Sequence, residues 1–200
     1  VTNSTSTGSQ YGFSSIPYAP VAGTGTAVSL TDDQLSASLP IGFSFSYYGF
    51  PYTQFKICSN GLITFNTTAS TTSYGVAIPS TASPNNFIAL LKADLNPANA
   101  GSAINYFTTG IAPNRILVVN FGTSYYNQTT KPVSVQALLY ETSNIIELHV
   151  DTISSGLTSV QGIENLGGTV GVVIPGRNSA IFSANNEGWR FAPAAFSYNW

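Results

Sequence analysis

The sequence predicts an all-β fold, a single antiparallel β-sandwich of jelly-roll type, and three observations predict it. Apolar residues alternate by two in several short runs, as in Ile41, Phe43, Phe45 and Tyr47, which is the period of a strand with one buried face. Nowhere does an apolar residue recur at helical spacing over ten or more residues. Turn residues punctuate the runs at close spacing, as sandwiches and barrels require.

In chain order, residues 1–10 are a polar arm without a pattern of their own, residues 11–193 form the sandwich, and residues 194–200 form an aromatic-rich strand or linker. The first clear strand runs through Ile41 to Tyr47, and Gly49 and Pro51 turn the chain after it. Phe55 to Cys58 is the next strand, with the lone cysteine as a small buried apolar side chain. Asn60-Gly61 then accepts the positive φ angles of a hairpin before Leu62. Residues 67–86 read as a long loop. Phe87 to Leu91 and Ile116 to Val119 are apolar on both faces, as central strands are, whereas Val133, Val135, Ala137 and Leu139, and then Ile146, Leu148 and Val150, alternate. Pro113-Asn114, Ser143-Asn144, Gly167-Gly168 and Pro175-Gly176 supply the remaining turns.

Composition narrows the function. Only 7% of the 200 residues are charged, with a net charge of −2, so the clustered bases of a nucleic-acid surface are missing. Serine, threonine, asparagine and glycine runs keep the outside polar but neutral. Mean hydropathy is +0.14, yet no stretch reaches the roughly 18 apolar residues of a spanning helix, and membrane insertion is not expected. Methionine is absent, and Val1 reads as the end left after a signal peptide is removed, which implies a secreted, extracellular or cell-surface protein. One cysteine forms no internal disulfide and no cysteine zinc site.

Few residues suggest chemistry. His149, the only histidine, shares a strand face with Glu147 and Asp151 in Ile145-Ile146-Glu147-Leu148-His149-Val150-Asp151. The nearby Ser154 and Ser155 lie in no Gly-x-Ser-x-Gly turn, so the reading is a solvated strand face and not a catalytic triad. No cofactor is expected apart from calcium, for which Asp94, Asp32 and Asp33 are the oxygen-ligand candidates; turn formation is the competing role of these residues. Tyr48 and Tyr126 are candidate carbohydrate contacts, because exposed rings stack on sugar faces, with core packing as the alternative. Asn3, Asn66 and Asn127 each open an Asn-x-Ser/Thr acceptor for N-linked glycans.

An ordered series of motifs carries a resemblance. Leu39-Pro40-Ile41-Gly42-Phe43-Ser44-Phe45-Ser46-Tyr47-Tyr48-Gly49, Ser59-Asn60-Gly61-Leu62-Ile63-Thr64-Phe65, Asn86-Phe87-Ile88-Ala89, Asp94-Leu95, Gln161-Gly162-Ile163-Glu164-Asn165 and Trp189-Arg190-Phe191 together resemble a β-sandwich module of large secreted surface proteins of Bacteroidetes, of the kind found in type IX-secreted adhesins and filaments. A more distant likeness is to nidogen-type domains. Lys92-Ala93 departs from the pattern, which has an aromatic residue before Asp94. Asp151-Thr152-Ile153 resembles the Asp-Ser/Thr-apolar O-glycan acceptor of that group and implies a sugar on Thr152. The resemblance implies a non-enzymatic structural or adhesive module, a filament subunit among the options, whose partners are copies of itself or neighbouring surface modules. The alternative is a lectin-like domain whose partners are glycans, and a hydrolase is the remaining class.

Overall fold

The computed structural model describes residues 11–194; the arm with Asn3 and the aromatic strand at 196–200 lie outside the described residues. The described chain is all β, without a helix: Tyr11–Ile16 (β1), Thr26–Ala27 (β2), Leu39–Tyr47 (β3), Phe50–Cys58 (β4), Leu62–Thr64 (β5), Phe87–Lys92 (β6), Ala103–Thr109 (β7), Ile116–Tyr125 (β8), Gln128–Tyr140 (β9), Ile146–Ile153 (β10), Ser159–Glu164 (β11), Gly171–Ala180 (β12) and Ala184–Pro193 (β13). One sheet has the order β1-β13-β10-β9-β8-β7-β2 and the other β12-β11-β6-β5-β4-β3. The expected sandwich is therefore present. Each sheet is built around a four-strand meander, β3 to β6 in one and β7 to β10 in the other, so neighbouring strands are mostly joined by hairpins and not by the sheet-to-sheet crossings of a jelly roll.

The alternating residues make the main core. Ile41, Phe45 and Ile57 from one sheet pack in the same cluster as Leu117, Val135 and Leu148 from the other. Tyr47 is fully buried there, and its hydroxyl donates to the Phe87 carbonyl at 2.6 Å and accepts from the Glu164 N–H at 3.1 Å. A buried phenol of this kind ties three strands together without leaving a polar atom unsatisfied. The two-sided run Phe87 to Leu91 is explained by a second cluster on the outer side of the β6 sheet. Cys58, Leu62, Phe87 and Ala89 meet Ile78 there, so the long loop of residues 67–86 is a lid over that face.

Two turns show how local chemistry fixes register. Tyr48 (φ +48°) and Gly49 (φ +85°) both take the left-handed conformation of a two-residue hairpin between β3 and β4. At Gly61 (φ +74°) an added Cβ would lie 2.0 Å from the Leu91 carbonyl oxygen, so only glycine allows β6 to approach this turn. Pro175-Gly176, expected to separate strands, lies inside β12 instead. The ladder with β11 jumps from Gly162–Val173 to Val160–Asn178, and Gly176 (φ +78°) absorbs a bulge at that edge.

Candidate functional site

The outer face of the seven-stranded sheet departs most from the sequence reading. The ladders align Asn105 with Asn120, Asn120 with Gln136, and Gln136 with His149, which makes a row of polar side chains across β7 to β10. A strap formed by residues 17–25 crosses this row. Gln136 pairs with the strap as a strand would: its Oε1 accepts the Val21 N–H at 2.7 Å and its Nε2 donates to the Val21 carbonyl at 2.9 Å. Asn120 joins the same network, receiving Gln136 Nε2 at 2.7 Å and donating to Asn105 Oδ1 at 2.9 Å.

Beneath the strap His149 is 2% exposed and Glu147 4% exposed. The expectation of a solvated strand face is corrected for both; only Asp151 on that face stays exposed. The Ala19 N–H donates to His149 Nδ1 at 3.2 Å, so Nδ1 carries no proton and Nε2–H faces Glu147 Oε2 at 3.1 Å. The Tyr140 hydroxyl donates to the same oxygen at 2.8 Å, while Arg190 grips Oε1 through Nε at 2.8 Å and Nη2 at 2.6 Å. Burial alone would raise the Glu147 pKa, but the bonds from His149, Arg190 and Tyr140 outweigh it and hold the carboxyl at about 2. Both His149 nitrogens are occupied, and among the described residues neither Ser154 nor Ser155 hydrogen-bonds to the pair. This arrangement fastens the strap; it offers no free base to a nucleophile.

The three aspartates read as calcium ligands do come into one neighbourhood. Burial and then the charges of Asp32 and Asp33 raise the Asp94 pKa, and burial and then Asp33 raise that of Asp32. Asn60 connects their loops, donating to Asp33 Oδ1 at 2.7 Å and accepting the Leu95 N–H at 3.1 Å. Asp33 Oδ1 also receives Thr72 Oγ1 at 3.1 Å. Among the described residues no group of three or more His, Cys, Asp or Glu is close enough to hold a metal ion. Their positions fit loop bracing.

Tyr48 is corrected as a carbohydrate contact: it is 7% exposed and packs against Tyr11 and Tyr47 in the main core. Tyr126 is 38% exposed in the turn between β8 and β9, beside the exposed Asn127. Asn66 lies just before the lid loop, and its Oδ1 accepts from the Thr68 N–H at 3.1 Å and hydroxyl at 2.7 Å. Thr152, near the end of β10, is half-buried and donates to Asn185 Oδ1 at 3.0 Å.

Sequence reasoning missed two features. Arg190 and the strap reach Glu147 and His149 from far along the chain, the strap contact spanning 130 positions, and no local pattern signals such a crossing. On the other sheet Lys92, where an aromatic was expected, is 3% exposed, lies 5.8 Å from the Phe87 ring centre and donates to the Val76 carbonyl at 3.3 Å. Nearby Glu164, 1% exposed, accepts the Ser80 N–H at 2.7 Å, and its burial raises its pKa to about 7.

Among the described residues no helix is long and apolar enough to cross a membrane. A family model described as NIDO related matches residues 10–195, nearly the whole chain. No curated protein and no solved structure matches.

Proposed function

We propose that this chain, which belongs to the NIDO-related family over residues 10–195, is a non-enzymatic extracellular structural module that joins copies of itself or neighbouring surface modules. The observation that carries this reading is the fate of the charged groups. Glu147, Arg190 and His149 are used to fasten a strap, and Arg115 is locked onto Glu141, its Nε donating at 2.8 Å. Arg177 is paired with Glu187 over the Phe182 and Trp189 rings. Few charges face outward, Asp33, Asp151 and Arg190 among them, so the surface is mostly neutral and polar and approaches another copy with little long-range repulsion. A nidogen-related sandwich fits an extracellular module in general; adhesion, filament formation and a type IX-secreted origin are the finer version of the proposal.

The sheet edges favour one route to contact. β12 is kinked at Gly176, β3 shifts register between Pro40 and Phe45, and β2 is two residues long. Among the described residues β1 ends its sheet; it keeps an unbroken register with β13 through all six residues and carries Phe13 at 43% exposure. Such an edge accepts a further strand, and a second copy is the occupant proposed. Light scattering on the purified chain over a wide concentration range tests this: association that Phe13→Asp weakens is expected. A monomer at every concentration, or turnover in a hydrolase screen that His149→Ala abolishes, overturns the reading.

A further inference from the structure

We infer that the outer face of the seven-stranded sheet carries a binding trough for a short neutral oligosaccharide, beside the strap. It goes beyond the structural role and does not depend on self-association.

The trough follows from the row of residues next to the amide row. In register across the same four strands stand Ala103, Gly122, Ser134 and Thr152. Strand positions ordinarily carry branched or aromatic side chains; Ala103, Gly122 and Ser134 are smaller, and with the short Thr152 they leave a hollow of about 610 Å³ between the sheet and the strap, within the size range of small-molecule sites. The hollow crosses four strands, about 14 Å between the outer two, so it is elongated and suits a chain of rings better than a compact ligand.

Its lining selects the ligand class. Among the described residues lining it there is no lysine or arginine, and Asp151 is the one carboxylate; phosphates and acidic sugars meet a negative charge and no cation. Hydrogen-bonding capacity is nevertheless high. The Asn105 amide nitrogen and the Ser134 hydroxyl make no hydrogen bond among the described residues, although Asn105 Oδ1 is held by Asn120. Exposed Asp151 adds strong acceptors for sugar hydroxyls. Tyr18 supplies an aromatic wall, set edge-on to His149 with ring centres 6.2 Å apart, for the apolar face of a pyranose. The fastening of the strap through Gln136, Asn120 and His149 fixes this wall in advance, which lowers the ordering cost of binding.

The test uses the full chain, purified with an intact mass that matches the sequence so that Thr152 bears no sugar. It is applied to a printed array of neutral and acidic oligosaccharides, and the strongest neutral hit is titrated by calorimetry. Binding to neutral oligosaccharides is expected, weakened at least tenfold by Ser134→Tyr, which fills the hollow from a half-buried position, and by Asp151→Ala, with unchanged thermal unfolding. Tyr126→Ala is expected to bind as the parent does. Should Ser134→Tyr fail to fold, Asp151→Ala and Tyr18→Ala carry the test. No neutral hit at millimolar ligand, preference for acidic glycans, or affinity unchanged in the trough variants overturns the inference. Light scattering on the same variants keeps this result separate from self-association.

Discussion

Replacing Glu147 with glutamine keeps the size of the side chain and removes its charge from beneath the strap. Holding the carboxyl at about 2 instead of the ordinary 4.5 corresponds to roughly 3 kcal/mol of folding stability at neutral pH. Arg190, 44% exposed at its side chain, regains water when its partner is neutralised, which trims the loss, so about 2–3 kcal/mol is expected. The sign with pH follows from linkage. A carboxyl whose pKa is depressed on folding contributes fully above its unfolded value, and that contribution fades as pH falls toward the folded one. Urea denaturation of parent and Glu147→Gln should therefore differ by 2–3 kcal/mol at pH 7, and the gap should narrow steadily below pH 4.5. Hydrogen exchange should report the same event locally, with the Ala19 and Val21 amides losing protection first, because their acceptors are His149 and Gln136. A loss under about 1 kcal/mol, or a gap that does not change with pH, would refute the claim that this network is a structural fastener.

Three further perturbations bear on the fold. Tyr47→Phe leaves the Phe87 carbonyl and the Glu164 N–H without the phenol they share, and chemical denaturation should show a loss of about 1–3 kcal/mol. Glu164, raised to about 7 by burial, behaves oppositely to Glu147. Its folded form holds a proton that the unfolded chain has already released, so it makes the protein less stable as pH rises from 4.5 through about 7, by up to roughly 3 kcal/mol; the unfolding midpoint of Glu164→Gln should lack this component of the pH dependence. Burial also raises the Cys58 thiol to about 11, so a thiol reagent at pH 8 should label it only at the rate of unfolding; immediate labelling of the native protein would contradict the packing described.

Strand identity was legible because it depends on neighbours two residues apart. The parity of Ile41, Phe43, Phe45 and Tyr47 decides which face is buried whatever lies opposite, and all four enter the main core. The two-sided runs were legible as central strands for the same reason. What local pattern does not encode is which outer faces are covered. His149 and Glu147 have the alternation of a solvated face and are buried by a strap and an arginine distant in sequence; Tyr48 sits in a turn, where exposure is the rule, yet its positive φ angle turns the ring into the core. Pro175-Gly176 has the composition of a turn but produces a bulge, since the flanking residues on both sides remain paired with β11. The three aspartates were legible as neighbours of turns. Their convergence depends on the Asn60 contacts, which only the folded chain supplies.

The claim that this chain is an extracellular structural module is tested most directly by immunogold electron microscopy of intact native cells with an antibody against residues 11–194. Gold is expected outside the cell boundary, on continuous assembled material. Label confined to the cell interior, or scattered as single particles with no assembly beneath them, would contradict it.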